Sequence, residues 1–329
     1  MSPENDNDSY NDSVLSFMLS ENIRGRFARI DKSLMTILSQ HNYPEKVSRL
    51  IAEASLLTVM IGQAIKLRWK LSLQIRGSGP IKLIAVDYFA PKDNGSTADI
   101  RAYAKFDPEK LNTSPKSDLY LLGKGFFAVL IDQGVGTEPY QGITPLTGDS
   151  LAKSAEKYFE QSEQLPTAFK IIVGQNEISE NLRDGVGWIG GGMMLQQLPK
   201  ENHYKLSSDK NLKENNILPK TNDSDSENWC RTNILMNTVE ELELVGPDIT
   251  PRTVLNRLFH QESLVLFDSQ KLRFGCSCSI KKVARTLSIY SSKDIMGMIT
   301  ENGDVTADCQ FCGHHYVLDT NQLGFKAQG

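Results

Sequence analysis

Cys276-Ser277-Cys278 and Cys309-Gln310-Phe311-Cys312 decide how this chain is read. The sequence holds 5 cysteines, and four of them form these two close pairs, one C-x-C and one C-x-x-C, about thirty residues apart. Each pair can chelate from a tight turn, and the segment between them can supply a small fold. The spacing predicts four thiolates converging on one tetrahedral Zn²⁺, with Cys276, Cys278, Cys309 and Cys312 as the metal ligands. The alternative is a set of structural disulfides, which requires an oxidising compartment. His314 and His315 follow the second pair. Four thiolates already fill a tetrahedral site, so the histidines are assigned to the surface or to the surroundings of the ligands.

The rest of the chain bounds where such a centre works. With 329 residues, 40% hydrophobic and 23% charged, it is a soluble protein with material for two domains. A net charge of -4 gives no global reason to expect nucleic acid. The start, through Ser9, is acidic and polar and lacks the basic and apolar regions of a signal peptide. The most apolar run, Ala54 to Ile65, is bracketed by Glu53 and Lys66 and is too short to span a bilayer. A cytoplasmic protein without membrane contact is expected. In a reducing cytosol the cysteines rest as metal-bound thiolates, and a disulfide there is a signal rather than a staple.

Taken in order, residues 1–13 read as a disordered tail. Residues 14–199 read as an α+β core domain of helices and sheet. Within it, residues 23–30 suit a strand with one wetter face; Ile23, Phe27 and Arg29 fall on one parity, Arg24, Arg26, Ala28 and Ile30 on the other. The three arginines are read as a solvated face. Pro44 to Lys66 carries a broad apolar stripe and reads as a helix. A hairpin follows, turning at Gly77-Ser78-Gly79-Pro80. Strands are expected at residues 100–106, 125–132, 140–145 and 168–173, with a helix from Leu151 to Ser162. Gly185-Val186-Gly187-Trp188-Ile189-Gly190 matches G-x-G-x-x-G, but Pro199 leaves no room for the crossover helix of a dinucleotide site. It reads instead as a segment where backbones approach closely.

Residues 200–270 read as a linker. Its first part, 200–228, is polar and mobile by composition. The stretch 233–267 turns helical, with a capping-box pattern at Thr238 and Glu241 and a second helix starting at Thr250-Pro251. Such short helices need a partner to pack on and are marginal alone. Residues 271–329 form the small C-terminal four-cysteine zinc domain. The fifth cysteine, Cys230, is read as passive.

At this point the chain resembles the heat shock protein 33 family of redox-regulated holdase chaperones. The resemblance rests on Cys276-Ser277-Cys278, on Cys309-Gln310-Phe311-Cys312-Gly313-His314-His315-Tyr316, on the run from Tyr158 to Thr167 with its Ser162-Glu163-Gln164-Leu165-Pro166, and on the run from Gly190 to Pro199. Tyr140-Gln141-Gly142 and the turn at Gly77 also fit, so the likeness covers nearly the whole chain from about Val14. The polar insert and Cys230 depart from the family pattern. The resemblance implies a zinc-bound, reduced, inactive form. It implies that oxidation pairs Cys276 with Cys278 and Cys309 with Cys312, releases Zn²⁺ and unfolds the linker. The surface then exposed binds unfolding client proteins, and the active form is a homodimer, not an enzyme.

Two other readings compete with this one. A zinc-ribbon nucleic-acid-binding protein finds little support in residues 271–329, where seven Lys or Arg face five Asp or Glu and aromatics are few. A thiol oxidoreductase using Cys309 and Cys312 would want a thioredoxin-like βαβ unit, whereas Gly313-His314-His315-Tyr316-Val317 reads as a turn into a strand.

Overall fold

The computed structural model describes residues 11–20, 22–93, 95–112, 118–147, 149–177, 186–199 and 223–319. The chain up to residue 10, the polar insert up to residue 222, Gly185 of the glycine pattern and Phe325 lie outside the described residues.

The chain opens with an antiparallel pair, β1 (Ser13–Leu19) and β2 (Ile23–Ile30). Helix α1 (Lys32–Ser39) and the long helix α2 (Glu45–Ala64) follow, Pro44 capping the start of α2. The predicted hairpin is β3 (Lys70–Gly77) and β4 (Ile81–Phe89), continued by β5 (Ala98–Phe106) and a short α3 (Pro108–Asn112). Then come β6 (Gly125–Asp132), β7 (Tyr140–Pro145) and α4 (Leu151–Tyr158), which widens into a π turn over Phe159–Glu163. A second antiparallel pair, β8 (Thr167–Glu177) and β9 (Val186–Gln197), completes the body strands before the insert.

Beyond the insert, α5 (Asp223–Asn237), α6 (Glu241–Val245) and α7 (Pro251–Leu258) lead into strand β10 (Leu264–Phe274). The last module contains α8 (Ile280–Leu287), α9 (Ser292–Met296) and the hairpin β11 (Asp304–Asp308) and β12 (His315–Asp319). The fold class is α+β, as the sequence implied.

One ten-stranded sheet, ordered β7-β6-β3-β4-β5-β10-β1-β2-β9-β8, runs through the body. Helix α2 is buried against one of its faces, and Leu50, Ile51, Leu57 and Ile61 join the main core there. This helix is long and apolar enough by composition to cross a membrane, longer than the apolar run alone suggested. Its most apolar window is 83% buried inside the protein, which is what a core helix requires. The other face of the β1-β2-β9-β8 half carries Leu15, Phe17, Phe27, Met193 and Leu195. It is covered by Met236, Val239, Leu244, Val254, Leu255, Leu258 and Phe259, from α5, α6, α7 and the residues between and just after them. The α5–α7 segment and the β1-β2-β9-β8 strands therefore share a second core.

Four local readings differ from the structure. Residues 264–267 are not helical but open β10, which pairs antiparallel with β1 and in parallel with β5. These partners are distant in sequence, and the strand has no clean burial alternation, so its own residues carry no period-2 signal. The end of the polar insert, from Asp223, is already helix α5. The capping box sits two residues later than expected, with Glu240 as cap and Glu243 as its reciprocal partner. The arginines of β2 are not a solvated face: Arg29 is 2% exposed, Arg24 donates to Gln196 Oε1, and Arg26 donates to the Gln63 carbonyl.

Candidate metal centre and its seat on the body

Strand β10 delivers the first pair. Gly275 donates its N–H to the Ile100 carbonyl (3.0 Å), carrying the β5 pairing one residue past β10, so that Cys276 emerges at the edge of β5. The second pair occupies the turn between β11 and β12. There Gly313 adopts φ +64° and donates to the Cys309 carbonyl (2.8 Å), while the Cys309 N–H donates to the His314 carbonyl (2.9 Å). A positive φ suits glycine, and the bonds close a tight knuckle around Cys309 and Cys312. The pair sits between antiparallel strands, not at the mouth of a βαβ unit.

The four Sγ atoms lie within 4.8 Å of one another. Between the pairs, Cys276 Sγ lies 3.7 Å from Cys309 Sγ and Cys278 Sγ lies 3.4 Å from Cys312 Sγ. A tetrahedron with Zn–S of about 2.3 Å has S···S edges of about 3.8 Å. An all-thiolate donor set at this spacing fits Zn²⁺. Neither histidine belongs to the cluster. His314 stacks edge-on with Tyr316 at 4.5 Å, and His315 Nδ1 lies 2.7 Å from Asp308 Oδ1.

Burial pushes the Cys276 and Cys312 thiols up from their ordinary range. At Cys278 burial also opposes ionisation, but the Tyr316 hydroxyl, donating to its sulfur at 3.0 Å, and neighbouring thiols outweigh it and hold this thiol below its usual value. Thiols crowded in this way ionise together only if a cation balances them.

The centre is also seated on the body. Phe311, inside the C-x-x-C turn, lies under the Arg101 guanidinium at 3.9 Å and meets the Tyr103 ring edge-on at 4.8 Å. Arg101 bridges to buried Asp87 through Nε (2.9 Å) and Nη2 (2.6 Å), and its Nη1 reaches Cys276 Sγ at 3.6 Å. His41, just beyond α1, contacts the Gln310 carbonyl at 2.7 Å. Nothing in the sequence signals this seat except the aromatic inside the turn, because only the tertiary fold brings Asp87 and Arg101 to Phe311 and His41 to Gln310. Cys230 lies apart, exposed on α5. The remainder of the module closes over a small core of Leu287, Ile295, Val305 and Leu318.

A family model described as Hsp33 protein matches residues 12–319. A 33 kDa chaperonin of Caulobacter vibrioides is 30% identical over 315 residues, spanning 94% of this chain and 95% of its own length. A 33 kDa chaperonin of Ectopseudomonas mendocina is 32% identical over 316 residues, spanning 95% and 94%. Among solved structures, the crystal structure of a 33 kDa chaperonin (heat shock protein 33 homolog) from Thermotoga maritima matches with a TM-score of 0.71. It covers 95% of this chain and 96% of that one at 20% identity, so this likeness concerns the fold.

Proposed function

This chain belongs to the Hsp33 family of chaperones, and from that premise we propose that it is a redox-regulated holdase. In this reading it is a binding protein rather than an enzyme. It captures unfolding clients once oxidation has removed Zn²⁺ from Cys276, Cys278, Cys309 and Cys312. The observation that carries the reading is the convergence of four thiols within 4.8 Å at the end of a strand that also holds the linker to the sheet.

When bound, Zn²⁺ would offset half of the charge of the four thiolates and clamp them together. The module has few buried apolar side chains, and small domains of that kind need a staple. Structural zinc contributes on the order of 10–16 kcal/mol, comparable with the roughly 5–15 kcal/mol that stabilises whole domains. Its loss would unfold the module and release Phe311 from Arg101. Peroxide is the simplest oxidant. In each pair two thiolates give up two electrons, an S–S bond forms, the peroxide O–O bond breaks, and with two protons two waters leave. The pairing Cys276-Cys278 and Cys309-Cys312 is proposed from the family resemblance. The linker helices would then leave the β1-β2-β9-β8 face and bare Phe17, Phe27, Met193 and Leu195, an apolar surface suited to unfolded chains. The division into a tail (1–13), a body (14–199), a linker (200–270) and a switch module (271–329), a cytoplasmic location and a homodimeric oxidised state belong to the same proposal.

The test is zinc content and suppression of client aggregation on one sample, before and after peroxide at heat-shock temperature. Stoichiometric zinc lost as suppression appears is the expected result. Equal suppression in both states, with zinc retained, would make the metal merely structural and end the redox reading.

A further inference from the structure

We propose that Arg29 is the positioning residue that holds the linker on the body, gripping the carbonyls at the C-terminal end of α6 and the turn that follows it. The proposal rests on the holdase reading and adds which contact sets how readily the linker leaves. Arg29 projects from β2 and is 2% exposed. Its Nε donates to the Leu244 carbonyl (2.9 Å), and its Nη2 donates to the carbonyls of Glu243 (2.8 Å) and Ile249 (2.6 Å). All three acceptors belong to the linker. They converge on one guanidinium only when α6 is folded and the chain turns at Gly246 (φ +79°), against which Nη1 packs. Cations suit helix C-termini because the last carbonyls lack partners within the helix.

The grip carries a penalty. Among the described residues no carboxylate balances Arg29; the Glu243 carboxylate pairs with Arg257 instead, and Arg29 Nη1 is buried without a partner. A buried cation held only by carbonyls and by the face of the Phe27 ring, 5.6 Å from its guanidinium carbon, loses hydration that it regains when the linker departs. Arg29 thus makes docking specific to a folded α6 while keeping the docked state poised to open. Lys170 repeats the arrangement on β8. Its Nζ donates to the carbonyls of Asn237 (2.7 Å) and Val239, where α5 ends.

Arg26 provides the control. It projects from the same strand and is also largely sequestered, but its guanidinium donates to the Gln63 and Gly25 carbonyls, both in the body. Wild type, Arg29→Met, Arg29→Lys and Arg26→Met are compared by amide exchange as full-length, reduced, zinc-loaded proteins, with zinc content measured alongside. Exchange across α5, α6 and α7 should rise at least tenfold in Arg29→Met and by a smaller factor in Arg29→Lys, which keeps the charge but not the fork. It should not change in Arg26→Met, and zinc should stay equal in all. The peroxide dose that opens the linker should fall in the same order. Linker exchange in Arg29→Met within twofold of wild type overturns the proposal, as does an Arg26→Met variant that loosens the linker equally. Should Arg29→Met not fold, the same criteria apply to Arg29→Lys. A wild-type linker that stays protected after peroxide would instead end the holdase reading, and the reduced-state comparison would still judge Arg29.

Discussion

Replacing Gly191 by alanine should open the linker without touching a cysteine. Gly191 lies in the middle of β9, paired with Arg29 of β2 on one side and Ile172 of β8 on the other. A Cβ there would sit 2.3 Å from the Leu244 carbonyl oxygen, 2.5 Å from its carbon and 3.0 Å from the Val245 nitrogen, where ordinary contact begins at 3.4 Å. The strand is held by ladders on both sides, so α6 is the part that yields, by about 1 Å. That lift stretches the 2.9 Å bond from Arg29 Nε to the Leu244 carbonyl beyond hydrogen-bonding range. Overpacking costs about 1–3 kcal/mol, and a hydrogen bond to a charged group is worth about 1.5–3 kcal/mol. Together they weaken docking by roughly 2.5–6 kcal/mol, and even about 2 kcal/mol of that is a thirtyfold change in an opening equilibrium. Amide exchange over residues 223–258 of the reduced, zinc-loaded Gly191→Ala protein should therefore accelerate at least thirtyfold, with zinc content and exchange in β3 and β4 unchanged. Linker exchange equal to wild type would show that α6 does not bear on Gly191, and the close-approach reasoning would fall with it.

Other perturbations address the remaining contacts. Phe311→Ala removes the ring between Arg101 and Tyr103; at roughly 1–3 kcal/mol for the aromatic and cation–π contacts together, zinc loss to a competing chelator should quicken about tenfold while the bound stoichiometry stays the same. Chelating the metal under reducing conditions should unfold residues 276–319 and leave α2 and the body sheet protected, as exchange mapping would reveal; a module still protected without zinc would contradict the staple. Burial and the neighbouring Asp31 carboxyl push Asp12 up to about 7. An acid raised in the folded state adds stability below its unfolded value near 3.8 and loses it as pH rises through about 7, so the thermal midpoint should fall between pH 5 and pH 8, and Asp12→Asn should flatten that slope. Cys230→Ser should leave zinc content and the peroxide dose response unaltered, since the thiol is exposed and apart from the cluster; a shifted dose response would assign it a part in the switch.

How much of this was legible beforehand follows from the range of the forces involved. Two cysteine pairs with chelate spacing announce their chemistry locally, because a tight turn brings each pair together regardless of the fold. The stripe of α2, the hairpin at Gly77 and the Thr250-Pro251 helix start were equally readable, since propensity and periodicity act within a few residues. β10 was not, because its partners β1 and β5 come from the far N-terminal half and its own burial shows no alternation. Arg29 was misread as solvated although its parity with Ile23 and Phe27 placed it on an apolar face; only the arrival of α6 some two hundred residues later supplies acceptors for its charge. The seat of Phe311 on Arg101 likewise exists only because parallel pairing sets β5 beside the end of β10. Sequence alone thus picked out the four thiols that the fold gathers within 4.8 Å, and most local elements. Tertiary structure decided what holds the centre and the linker in place, because those contacts join residues that no local pattern relates.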